Sequence, residues 1–176
     1  HAPARAELLR MRGLVEELRH DVPAARALYE RALASDASDA QATTGLGRLS
    51  EGAGDAERAE ALYREALVQQ PGEAEATWRL AALRAERGDL AEAQALLSEA
   101  GEAPEPFVVW RIASTEAKAG QLEAAAARVD AALRGSIPTS LAIAAAPLLE
   151  AGGRPAAALR VQEEALRADP DSWQLQ

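Results

Sequence analysis

Two histidines, paired carboxylates and scattered serines are the residues from which this chain could build chemistry. None of them stands in a pattern that a reaction needs. His1 is terminal, and His20 falls where a helix should end, a place suited to a polar capping or solvent-facing side chain. Neither has a second histidine at the i, i+4 spacing that would put two imidazoles on one metal. Glu16–Glu17 and Glu163–Glu164 are neighbours in sequence. On a helix adjacent residues point about 100° apart, so these pairs read as solvated faces. A glycosidase-like acid pair would have to converge from different elements. Ser50, Ser98 and Ser114 have no histidine nearby in their own stretch of chain to act as base. The stretch Gly45 to Gly54 lacks the Gly-Lys-Ser/Thr ending of a phosphate loop, and no strand precedes it. Cysteine is absent, which excludes disulfides, thiolate metal sites and thiol catalysis. The reading is a non-enzyme with no catalytic residue, no metal and no cofactor.

The residues that do suggest recognition are a duplicated tetrad. Trp78-Arg79-Leu80-Ala81 recurs as Trp110-Arg111-Ile112-Ala113, 32 residues later. Tryptophan and arginine dominate interface hot spots, at about 2 kcal/mol or more each. The whole chain has only three Trp, two Tyr and one Phe, so two of three tryptophans in one motif is a concentration.

The elements that must carry this motif are helices. Of 176 residues 45 are alanine, the best helix former and a poor core filler, and runs of Val, Ile, Thr and aromatics are missing. Such a chain packs helices closely instead of building a thick aliphatic core. Eighteen of its 19 basic residues are arginine, the exception being Lys118, and with the alanine excess this reads as a bacterial composition. A net charge of -9 repels dense phosphate and argues against a nucleic-acid partner. No apolar run approaches the roughly 18 residues of a membrane span, so insertion is not expected, and no signal peptide is visible. Because the chain begins with His1, it reads as processed or cut, and the missing signal leaves bacterial cytoplasm or periplasm open for a soluble protein.

Internal repetition organises the chain. Ala25, Tyr29 and Ala32 recur as Ala59, Tyr63, Ala66, then Ala93, Leu97, Ala100, then Ala125, Val129, Ala132, and finally Ala158, Gln162, Ala165. The steps are 34, 34, 32 and 33 residues. Gly54-Asp55, Gly88-Asp89, Gly120-Gln121 and Gly153-Arg154 precede the later triplets, and His20-Asp21 precedes the first. Glycine ends a helix cheaply in the left-handed region, and Asp21, Asp55 and Asp89 are then suited to cap the next helix. Leu46-Gly47, Leu80-Ala81 and Ile112-Ala113 mark the preceding helices, Arg12-Gly13 and Ala145-Ala146 more weakly. Gln70-Pro71 and Asp169-Pro170 close two units, with Pro104, Pro106 and Pro138 near the same place in others. Each unit is thus helix, tight turn, helix, with helices predicted over 4–19, 23–35, 40–52, 56–69, 73–87, 90–100, 105–119, 122–134, 139–151 and 155–168. Small residues let the backbones approach, and the large residue of each triplet fills the remaining gap.

Four markers in phase over about residues 6 to 170 resemble the tetratricopeptide repeat (TPR), a 34-residue unit with the pattern W-x2-L-G-x2-Y, A-x3-F and P. The resemblance implies an all-α fold, a right-handed superhelical α-solenoid of about five helix–turn–helix units. The units lie at about 6–39, 40–73, 74–105, 106–138 and 139–172, as one array over 1–176. Trp78 and Trp110 sit one residue past the family's tryptophan slot, and Glu16, Ser50, Arg84 and Glu116 occupy its tyrosine slot. Pro147 lies inside a predicted helix, where it costs roughly 3 kcal/mol, so a kink or late start is expected there. Asp171-Ser172-Trp173-Gln174-Leu175 reads as the opening of a further unit at 173. No capping helix follows it, so the chain reads as an excerpt of a longer array, or one whose C-terminal end self-associates or is covered by another chain.

The family's first helices line a concave face, with their fifth and sixth positions pointing largely inward. Carried onto this chain, the resemblance places Trp78, Arg79, Trp110 and Arg111 in a groove, joined by Glu75 and Phe107 at position two and Arg48 and Ser114 at position nine. The alternative reading is that both indoles seal neighbouring units while Arg79 and Arg111 pair with nearby glutamates. The function implied is a protein-interaction scaffold that holds a partner peptide or helix, its apolar side chains on Trp78, Trp110 and Phe107, its carboxylates on Arg48, Arg79 and Arg111. The second reading is a segment of a longer periplasmic array in bacterial secretion or exopolysaccharide export, contacting assembly partners or the polysaccharide itself.

Overall fold

The computed structural model describes residues 2–99, 106–133 and 139–168. Among these, ten helices and no strand occur: an all-α helical-repeat solenoid. α1 (Ala2–Leu18) packs with α2 (Val22–Ser35), α3 (Ala40–Gly52) with α4 (Ala56–Gln69), α7 (Pro106–Lys118) with α8 (Leu122–Ala132), and α9 (Thr139–Ala151) with α10 (Pro155–Ala168); α5 (Ala74–Glu86) and α6 (Leu90–Glu99) lie between the second and third of these pairs in chain order. Ala100, Pro104, Pro138, Asp169-Pro170 and the segment around Trp173 lie outside the described residues. The helices gather into two compact units. One holds α1 to α4, most of α5 and the end of α6; the other holds the last turn of α5, most of α6, and α7 to α10.

In the first unit the caps follow from side-chain chemistry. Asp21 and Asp55 each accept from the backbone N–H three residues on, at 3.0 Å, and Asp39 does the same for α3. Glu73 takes that role for α5, accepting from the Ala76 N–H and, at 3.2 Å, from the Thr44 hydroxyl. The turns before α4, α6, α8 and α10 place Gly54, Gly88, Gly120 and Gly153 at positive φ. His20 stands at the matching place before α2 with φ 63, a conformation that a Cβ makes costly.

The spaces left by small residues are filled by the two tyrosines. The Tyr29 ring lies between α1 and α3: a Cβ on Gly13 would stand 2.8 Å from its Cε1, and one on Gly45 would stand 2.6 Å from its Cζ. Tyr63 fills the corresponding space against Gly47 and is wholly buried. Ala25, Ala32, Ala59 and Ala66, the small members of the two triplets, are also at zero exposure.

The second unit has its own core. Ala113, Ala125, Ala126, Val129, Leu133, Leu141, Leu149, Ala158 and Val161 form one buried cluster. Gly152 sits so close to α8 that a Cβ there would lie 2.6 Å from the Leu122 carbonyl oxygen. Of the kink or late start expected at Pro147, the late start does not occur. α9 begins at Thr139 and runs unbroken to Ala151 with Pro147 inside it. Leu148 and Leu149 beside it are buried, while Pro147 itself is on the exposed side, where the carbonyl that loses its partner can be hydrated.

Two alanine substitutions separate packing from helix propensity. Gly47→Ala should destabilise the chain by about 1–3 kcal/mol in urea unfolding, because the enclosed Tyr63 ring has nowhere to go. Gly52→Ala, with no atom within 4 Å of its added Cβ, should instead gain up to about 1 kcal/mol from helix propensity.

Candidate interaction surface

The first helices of the pairs carry the residues singled out above, and each compact unit arranges its own set. In the first unit, α1, α3 and α5 are joined by a ladder of charges. Arg48, on α3, donates from Nε and Nη2 to the two carboxylate oxygens of Glu17 at 2.9 and 2.8 Å, a bidentate pair reaching back to α1. Its Nη1 donates forward to Glu75 of α5 at 2.8 Å. Glu75 uses its other oxygen to accept from Arg79 Nε at 2.9 Å, and Arg79 Nη1 stands 3.3 Å from Glu51 of α3. The order along the ladder is Glu17, Arg48, Glu75, Arg79, Glu51.

Both tyrosines join it from below. The Tyr29 hydroxyl donates to Glu17 at 2.7 Å and accepts from Arg48 at 3.0 Å. The Tyr63 hydroxyl donates to Glu51 at 2.6 Å. Burial alone would raise the Glu17 carboxyl, but the hydrogen bond and charge of Arg48, with Tyr29, outweigh it and hold the group below its ordinary range. Burial pushes both tyrosine hydroxyls up, reinforced by the carboxylate each one faces. Burial would lower Arg48 and Arg79, yet their carboxylate partners raise both, so the guanidiniums stay charged.

This corrects the reading of Glu16–Glu17 as a solvated face. Glu17 is largely enclosed and holds two partners, because the i+12 tyrosine and the next repeat's arginine converge on it. The sequence did carry a signal: Glu17 and Glu51 are 34 residues apart, as are Tyr29 and Tyr63. Trp78 lies beside the ladder on α5, half-buried, with its indole N–H enclosed and without an acceptor among the described residues.

In the second unit, Arg111 of α7 donates to Glu86 at 2.7 Å. The Ser114 hydroxyl turns back onto the Arg111 carbonyl at 2.8 Å. Trp110 is half-buried and packs against the core cluster, whereas Phe107 is 63% exposed. Phe107, Trp110, Arg111 and Ser114 stand at i, i+3, i+4 and i+7, one face of α7. Val108, Val109, Ile112, Ala113 and Glu116 bury the other. Glu116, with no exposure at all, is held by two nitrogens of Arg128 at 2.7 to 3.2 Å. It repeats with a guanidinium the i+12 bridge that the tyrosines make. All three predicted carboxylate grips, Arg48, Arg79 and Arg111, therefore hold carboxylates of their own chain.

Among the described residues no group of three His, Cys, Asp or Glu is placed to hold a metal ion. No helix among them is long and apolar enough to cross a membrane.

Residues 10–74 match one family model described as tetratricopeptide repeat, and residues 51–106 match a second of the same description. No curated protein sequence matches the chain. Among solved structures, the chain resembles a thermophilic TPR protein of Thermus thermophilus with TM-score 0.74 and 21% identity, covering 97% of this chain and 94% of that one. It also resembles MamA AMB-1, with TM-score 0.59 and 22% identity, over 96% and 94% of the two chains. A third is YrrB, a TPR protein with an unusual peptide-binding site, with TM-score 0.57 and 18% identity over 95% and 88%. At these identities the likeness establishes the fold.

The ladder gives the chain an acid-sensitive component. Since the Glu17 carboxyl is lower folded than unfolded, its contribution is complete above about pH 4.3, the unfolded value, and is lost as pH falls toward the folded one. Urea midpoints measured from pH 7 to pH 3 should decline, and Glu17→Gln should be less stable at pH 7 with a shallower decline.

Proposed function

This chain belongs to the tetratricopeptide-repeat family, and from that premise we propose that it is a protein-interaction scaffold that holds a partner peptide or helix on its first-helix faces. The observation that carries the reading is the stripe on α7. Phe107 gives a large apolar surface to solvent, Trp110 shows part of its ring beside it, and the opposite face of the helix is anchored in the core. An exposed aromatic on a fixed helix offers contact area at little cost in ordering. The peptide-binding site named for YrrB, a protein of the same fold, supports the class of partner.

In the second unit the partner is recognised by apolar side chains at Phe107 and Trp110, with Arg111 beside them on α7. The first unit offers an aromatic contact of its own at Trp78, where Arg48, Glu75 and Arg79 shape the surface. A carboxylate on the partner would have to displace a glutamate already at 2.7 to 3.3 Å, so the arginines add selectivity more than strength. Ser114, whose O–H is donated to its own helix, offers a partner only acceptor lone pairs and a small footprint.

Peptide-array binding with purified variants tests this. Phe107→Ala should weaken binders while unfolding stability stays within about 0.5 kcal/mol, as expected for a surface change. Trp110→Ala should lower binding and stability together, because its ring also packs on the core. Binders that keep full affinity in both variants would refute the proposal.

A further inference from the structure

α1 has two apolar faces, and only one is used inside its own unit. Ala6, Leu9 and Gly13 pack inward on α2. Leu8, Met11, Val15 and Leu18 lie on the opposite side at 60, 56, 45 and 72% exposure. Such a stripe on one helix is a candidate interface, since it costs solubility without serving the core.

Its register says what kind of surface it is. Thirty-four residues on, Ala42, Gly45 and Leu49 of α3 occupy the matching positions and are buried against the helix pair before them. The free face of α1 therefore continues the interface by which one repeat stacks on another. It cannot take the same occupant, however. Leu8 replaces Ala42 and Met11 replaces Gly45, and the glycine site is where the Tyr29 ring enters, 2.6 Å from where a Cβ would stand. A second helix bearing that tyrosine would collide with Met11.

The spacing fits a different occupant. Leu8, Met11, Val15 and Leu18 stand at i, i+3, i+7 and i+10, the a and d positions of two heptads, which seat on an identical seam by knobs-into-holes packing. Glu7 and Arg12 are exposed at the flanking g and e positions. When two such helices lie side by side in the same direction, g of one faces the following e of the other, so Glu7 meets Arg12 twice across the two-fold axis. We propose that α1 is the docking helix of a homodimer, in which the stripe Leu8, Met11, Val15 and Leu18 packs in parallel on its copy and Glu7 pairs with Arg12 of the second copy.

Sedimentation of the whole 176-residue chain over a range of concentrations tests it. The expected result is a closed monomer–dimer equilibrium, with Met11→Glu weakening the dimer about tenfold or more at unchanged helical circular dichroism. Glu7→Arg and Arg12→Glu should each weaken it, and the two together should restore it. A monomer at every concentration, open-ended growth in place of a dimer, a dimer indifferent to Met11→Glu, or a double exchange that fails to restore pairing would each overturn the proposal.

Discussion

The two tyrosines fix both the sterics and the charges of the first unit. The Tyr29 ring occupies space that exists only because Gly13 and Gly45 lack a Cβ, and its hydroxyl meets Glu17 and Arg48. Tyr63 does the same with Gly47 and Glu51. Seating the ring thus sets the carboxylate, and the carboxylate sets the arginine of a neighbouring repeat. In a chain with so few large side chains, each ring replaces much of the aliphatic filling that a thicker core would use. Its polar tip must then be satisfied, because an enclosed hydroxyl without a partner costs about 1–3 kcal/mol.

That coupling explains which parts of the structure were legible in the sequence. Helix positions were, because glycine turns, aspartate caps and alanine triplets are local signals repeated in phase; α3, α4, α9 and α10 fall on the expected residues. The filling of gaps by Tyr29, Tyr63 and Val129 was legible for the same reason. The late start at Pro147 was not, since the cost of proline is local while the burial of Leu148 and Leu149 that keeps α9 intact is tertiary. The ladder was hidden by its reach: Arg48 pairs with Glu17, 31 residues back, and Glu75, 27 ahead, distances that no single-helix pattern displays. Glu17 beside Glu16 looks like an ordinary solvated face until the neighbouring helices are in place.

The ladder also changes what the arginines mean. Three carboxylates and two guanidiniums alternate along it, so each guanidinium is neutralised before any partner arrives. Partial burial makes these contacts stronger than exposed pairs, and the bidentate Arg48–Glu17 geometry holds both side chains in one rotamer. What such a surface gives a ligand is a rigid wall. Under the proposed function, recognition would then fall to the groups that are fixed but unsatisfied by their own fold, which are the aromatic faces.

The two units reach this end by different chemistry. In the first, tyrosine rings fill the gaps and hand their hydroxyls to Glu17 and Glu51. In the second, Val129 stands at the triplet position and cannot bond, so Arg128 beside it crosses the same twelve-residue interval to a wholly buried Glu116. A buried carboxylate is tolerable only with its charge matched and its lone pairs used, and three contacts from Arg128 meet both conditions. The first helix of a pair is therefore pinned to the second near its C-terminal end in either unit, by a neutral donor in one and a charged donor in the other. With α7 pinned at Glu116 and sealed by Trp110, Phe107 near the start of the helix is held in place without being covered, which is what the proposed function asks of a contact residue.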